Sequence, residues 1–330
     1  MEMAFSEISL VVFTAIAPAG AVGYIVMALV ARFSHDAKAG ERSDRFLVIP
    51  LLLALVGLIA SATHLGTPAN ALYVITGLGR SPLSNEVASA AAFLALGGAY
   101  WILAFPYRQR TAPRTVLLAL SVTAALAFVY FVSRAYAVES IVTWNNPIAP
   151  LTQWACAIAA GAMTALTGLR AARFPVGRGL AAALIVVSAG AALACACLLA
   201  AEQQIVSGMR TVTTNAADMT PLLMAQIAAF VILAAIGIAC ACVDERRRTG
   251  KTIEGHGGAA GTVCVSDAGK TKKPVGGQPR EGATGEAAST EAPEASPKTL
   301  ALPVIAVLFL LAACFVVRFA FYAMYMTAGV

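Results

Sequence analysis

The chain has 330 residues, 59% of them hydrophobic and 12% charged, with a mean hydropathy of +0.78. Soluble domains hold about 45–50% apolar and about 25% charged residues, so a water-soluble body of this size could not cover its surface, and lipid must solvate most of the chain. The net charge of +6 is spread between long apolar runs instead of one patch, which reads as a topology determinant and excludes a nucleic-acid footprint.

The chain begins with the acidic stretch Met1–Glu7, which has no basic n-region, so the first apolar run is expected to stay in the mature protein. A membrane span needs about 20 mostly apolar residues. Eight runs qualify: Ile8–Ala31, Phe46–Leu65, Pro82–Phe105, Thr115–Tyr136, Leu151–Arg170, Gly179–Ala201, Pro221–Val243 and Leu300–Tyr325. Barrel strands would be half as long and alternate in polarity. The fold class is therefore all-α, a polytopic bundle of eight transmembrane helices. Ser81-Pro82 places an N-cap and a first-turn proline at the start of the third run. Pro18, Gly20 and Gly23 in the first run fit a local kink with close helix packing.

An even number of spans puts both termini on one side. The connections after spans one, three, five and seven carry 19 Lys and Arg, and the opposite set carries only Arg80 and Arg210. The positive-inside rule then places the basic set in the cytoplasm and both termini outside. The chain divides into helices one to seven (1–243), a cytoplasmic loop (244–299) and helix eight with the C-terminus (300–330). The loop is rich in Gly, Ala, Thr, Glu, Lys and Pro, nearly lacks large apolar residues, and is expected to be disordered. Arg246, Arg247 and Arg248 at its start read as a juxtamembrane anchor to anionic lipid.

Charged groups inside a span cost about 2.5–3.5 kcal/mol at the helix centre on insertion scales, so those that persist ask for a reason. With the topology above, His64, Glu86, Arg134, Glu202 and Arg318 all fall toward the outer face. Five ionisable side chains from five helices at one level suggest a polar pocket there. Separate explanations compete: Glu86 complementing a helix dipole, His64 at the interface, Arg134 and Arg318 snorkelling to headgroups, Glu202 marking a helix end. The aromatic groups around Tyr100, Trp144, Trp154 and Tyr322 read most simply as interface belts. The seven cysteines hold no CxxC pair and read as small packing residues, so no metal ligands are assigned. Bis-histidine haem would need two buried histidines, and His35 and His256 fall in connections, so no haem is expected. Oxidation of a lipid-borne hydroquinone fits the pocket. It needs a base within reach of a phenolic hydroxyl and an exit for the proton, and a carboxylate with a histidine near the water boundary offers both. A secondary transporter or proton-conducting protein without a redox partner stays open as the alternative.

At these residues the sequence resembles the membrane-anchor subunits of the dimethyl sulfoxide reductase family. The resemblance is carried by His64-Leu65-Gly66-Thr67-Pro68, by Leu83-Ser84-Asn85-Glu86-Val87-Ala88-Ser89, by Arg134-Ala135-Tyr136 with Thr143-Trp144, and by Arg318-Phe319-Ala320-Phe321-Tyr322. It implies the anchor of a respiratory oxidoreductase complex in a prokaryotic cytoplasmic membrane, serving anaerobic electron transport. Such an anchor oxidises menaquinol to menaquinone and passes electrons to an iron–sulfur subunit and a molybdopterin catalytic subunit. By the same resemblance Glu86 accepts a hydroquinone proton and His64 binds or helps deprotonate the ring. Arg134, Tyr136, Arg318, Asn85 and Ser84 are expected to support quinol binding. The partner subunits are expected on the extracytoplasmic face. The long connection before the last span departs from the family pattern.

Overall fold

The computed structural model describes residues 2–63, 73–106, 111–210, 216, 221–257 and 300–326. Among them every regular element is helical: α1 (Glu2–Ser6), α2 (Ile8–Arg32), α3 (Ala37–Phe46), α4 (Val48–Ala62), α5 (Tyr73–Thr76), α6 (Pro82–Leu103), α7 (Ala112–Ala135), α8 (Ile148–Ala171), α9 (Arg178–Ser207), α10 (Leu223–Gly257) and α11 (Ala301–Ala323). Eight helical segments are long and apolar enough to cross a membrane, α3 and α4 forming the second of them, and the chain is a multi-pass membrane protein. With no water in the hydrocarbon core, helices satisfy their backbone groups internally.

Each half of the chain forms its own four-helix ring. In the first, α2 packs on α4, α4 on α6, α6 on α7 and α7 on α2; in the second, α8, α9, α10 and α11 repeat the order, with α9 touching α10 and α11 closing on α8. The rings join through α2 and α8, which are also the most enclosed spans. Small residues let these two helices meet their neighbours closely. A Cβ at Gly20 would lie 2.6 Å from the Pro50 carbonyl oxygen on α4, and one at Gly161 on α8 would lie 2.6 Å from the Val22 Cβ. Helix α2 runs unbroken through Pro18, so Gly20 serves close packing and not a break.

Several boundaries move from their expected places. The second span begins at Ala37 instead of Phe46, because Asp36 caps α3 by accepting the Ala39 N–H. The sixth continues past Ala201 to Ser207. The seventh continues to Gly257, so the segment expected as an irregular loop from Asp244 is helical at its start. Arg170 on α8 holds Asp244 at 2.5 Å and also pairs with Glu245, and Arg248 reaches Asp244 at 2.8 Å, which together tie this extension to the bundle. Residues 258–299 lie outside the described residues.

These ion pairs mark the basic end of the bundle. A separate pair sits there, Arg114 to Asp44 at 2.8 Å, both buried, with the Tyr100 hydroxyl donating to Asp44 and the Arg114 guanidinium 5.0 Å from the Tyr100 ring centre. Removing one member of such a buried pair costs about 3–5 kcal/mol, because the other charge is left uncompensated. Between this end and the far end lies an apolar layer of Phe13, Phe93 and Phe128, all fully buried, with ring centres 6.0 and 6.2 Å apart.

Candidate functional site

The far end is organised by α6. Ser81 adopts extended backbone and accepts the Ser84 N–H, and Pro82 opens the helix, as the sequence indicates. Asn85 accepts the Gly79 N–H at 2.7 Å, closing the turn ahead of the helix at a residue of positive φ. Asn85 and Ser84 thus shape the approach to α6. Glu86, one turn in, points into the protein with 0% exposure, and neither carboxylate oxygen makes a well-formed hydrogen bond among the described residues, the Tyr136 hydroxyl being its polar neighbour.

Arg318 comes from α11 at the same level. It is 2% exposed, donates from Nε to the Thr14 hydroxyl at 3.1 Å, and lies 4.2 and 5.6 Å from the Phe321 and Tyr322 ring centres. It forms no ion pair among the described residues, although Glu86 and Glu202 both stand within electrostatic reach. A guanidinium normally pairs when it is buried, so two nearby carboxylates held off from it leave its charge uncompensated. The Tyr136 and Tyr322 hydroxyls, buried and without a well-formed hydrogen bond among the described residues, lie beside Glu86 and each other, their rings 5.4 Å apart. Gln153 on α8 donates to the Thr14 carbonyl at 2.9 Å, and its own carbonyl oxygen has no partner among the described residues. Buried polar atoms are normally satisfied, so this concentration of oxygens without well-formed bonds is the chemical signature of the site.

Glu202 is the residue the sequence undervalued. It does not end its helix; it is 2% exposed and accepts from the Asn146 side chain at 3.3 Å. Asn146 also caps α8, accepting the Ile148 and Ala149 N–H groups at 2.9 Å. The 137–147 connection is fastened over the site by the Trp144 indole donating to the Phe321 carbonyl at 2.9 Å and by Thr143 bonding the Met324 carbonyl. The Trp144 ring packs on Tyr136, Phe321, Tyr322 and Tyr325 at 4.9 to 6.1 Å, so these aromatics wall the site and are not a simple interface belt. One layer deeper, Cys156 and Cys195 place their sulfurs 3.6 Å apart and Cys314 donates to the Cys156 carbonyl. These thiols are buried packing groups, as expected.

The structure therefore brings together Glu86, Tyr136 and Arg318 of the residues expected in the pocket. It does not bring in Arg134, whose side chain is exposed on the outside of α7. His64 lies outside the described residues, after the end of α4.

The family model described as DMSO reductase anchor subunit (DmsC) matches residues 1–257, which leaves α11 and Arg318 beyond the match. The anaerobic dimethyl sulfoxide reductase C-chain of Haemophilus influenzae is 30% identical over 154 residues, 47% of this sequence and 54% of that protein. The Escherichia coli protein of the same name is 34% identical over 157 residues, 46% of this sequence and 53% of that one. The anaerobic dimethyl sulfoxide reductase YnfH chain of Escherichia coli is 28% identical over 250 residues, 75% of this sequence and 87% of its own. The protein spans about half the length of the two C-chain relatives and most of YnfH. With the match covering more than half its length, the chain belongs to the DMSO reductase anchor subunit family.

Proposed function

We propose that this chain anchors a multisubunit reductase in the cytoplasmic membrane and that its far end binds and oxidises menaquinol. The observation that carries the reading is Glu86, fully buried with no well-formed hydrogen bond among the described residues, beside an Arg318 that has no ion partner among them. A hydroquinone hydroxyl supplies what each lacks. Glu86 takes its proton, and the Arg318 charge stabilises the phenolate oxygen that remains. Tyr136 and Tyr322 offer hydroxyls to the ring oxygens, and His64, next in the chain after α4, assists deprotonation. Glu202, hydrogen-bonded to Asn146 of the 137–147 connection, gives the second proton an outlet. Per turnover two electrons leave for the clusters of an iron–sulfur subunit, two protons leave through the carboxylates, and menaquinone returns to the bilayer. The molybdopterin subunit then spends the electrons on its own substrate.

Electron tunnelling needs a short path, so the iron–sulfur subunit docks at the far end, on the extracytoplasmic side. The Phe13, Phe93 and Phe128 layer between the two polar ends weighs against a continuous proton path and so against the transporter reading. In the assembled complex, Glu86→Gln and His64→Ala are expected to lower quinol-driven substrate reduction by roughly 10²–10⁴-fold, the usual worth of general base catalysis. Reduction driven by a soluble viologen, which bypasses the anchor, should persist. Normal quinol turnover in both variants would reject the site.

A further inference from the structure

At the basic end, away from the site above, α9 and α10 line a cavity of about 550 Å³. Arg178, Ala182 and Val186 line it from α9, and Cys242, Arg246 and Thr249 from α10, each set recurring at helical spacing on one face; Glu245 lines it too, with its carboxylate paired to Arg170. The polar lining gathers at one end of the cavity and the apolar lining at the other. The charge balance there is uneven. Asp244 and Glu245 are engaged by Arg170, and Asp244 also by Arg248, so the two carboxylates beside the cavity already hold cations. Arg178 and Arg246 have no carboxylate partner among the described residues. Arg178 is also the first residue of α9, whose cap Gly177 offers no side chain to the free N–H groups of the first turn. Such an end favours a phosphate.

We propose that this cavity binds one anionic phospholipid, its phosphodiester between Arg178 and Arg246 and an acyl chain along Ala182, Val186 and Cys242. The cavity lies where the headgroups of the basic-side leaflet meet the bundle. Basic pockets between spans at this depth recognise anionic headgroups. An acyl chain fits the apolar half, which a free phosphate would leave empty. The site would brace the α10 extension against α9, independently of any quinol chemistry.

The test uses the full chain, delipidated in neutral detergent and followed by native mass spectrometry with added dioleoyl phosphatidylglycerol or dioleoyl phosphatidylcholine. Retention of one phosphatidylglycerol in roughly thirtyfold preference is expected, the worth of two arginines near a membrane surface. Arg178→Gln with Arg246→Gln should abolish the preference, while Arg247→Gln, outside the lining, should keep it. Ala182→Trp fills the apolar half from an exposed position and should release the lipid with both arginines intact. Equal retention of the two lipids, or a preference that survives the double variant, would overturn the proposal. So would displacement by inorganic phosphate with no effect of Ala182→Trp, which would mark a free-anion site.

Discussion

Among the described residues Arg318 enters the protein interior with one hydrogen bond, to Thr14, and two carboxylates nearby but not in contact. That arrangement is expensive unless a ligand completes it, and it sets separate expectations for the two neighbours. Arg318→Leu should cut quinol-driven turnover by about 10²–10³-fold, the usual loss when a preorganised charge is removed from a developing anion. Glu202→Gln should slow the same turnover by roughly tenfold, since Glu86 still accepts the first proton. Steady-state kinetics with quinol and with viologen checks both, and a Glu202 variant at full rate would remove it from the relay. At this scale the sequence was partly legible. Charge in an apolar run exposes Glu86 and Arg318 by hydropathy alone. Thr14, Gln153 and Asn146 are uncharged and give no such signal. Arg134 shows the limit of depth without azimuth: the buried stripe of α7 runs through Ser121, Ala125, Phe128 and Val132, which turns Ala135 inward and Arg134 outward.

The helices themselves were easier to read than their ends. Long apolar runs fix a span, and the Ser81-Pro82 signal fixes the start of α6 because cap and proline act locally. The extensions of α9 to Ser207 and of α10 to Gly257 rest on tertiary contacts, Glu202 with Asn146 and Arg170 with Asp244, which no local pattern reveals. Close packing between elements predicts a contrast between two glycines. Gly20→Val drives a side chain onto the Pro50 carbonyl and should cost about 1–3 kcal/mol of stability. A Cβ at Gly190 on α9 meets nothing within 4 Å, so Gly190→Val should be silent. Thermal unfolding in detergent separates them, and equal melting temperatures would contradict the packing of α2 on α4.

Two four-helix rings joined through α2 and α8 were not visible in the sequence, because hydropathy gives spans but not neighbours. The sidedness of the whole molecule rests on the charge asymmetry of its connections. It predicts that a cysteine at exposed Glu139 reacts in intact cells with a membrane-impermeant maleimide, and that one at exposed Arg173 reacts only after permeabilisation. The reverse pattern would turn the bundle over and move the electron-accepting subunit to the cytoplasm.

The claim that a hydroquinone occupies the space between α6, α7 and α11 is tested most directly by photolabelling the assembled complex with an azido-quinone and mapping the modified peptides. The account predicts labels clustered at the start of α6, around Tyr136 and Trp144, and near Arg318 to Tyr322, all lost when unlabelled quinol is in excess. Competed labels confined to the basic end, around Asp44, Arg114 or Arg170, would contradict it.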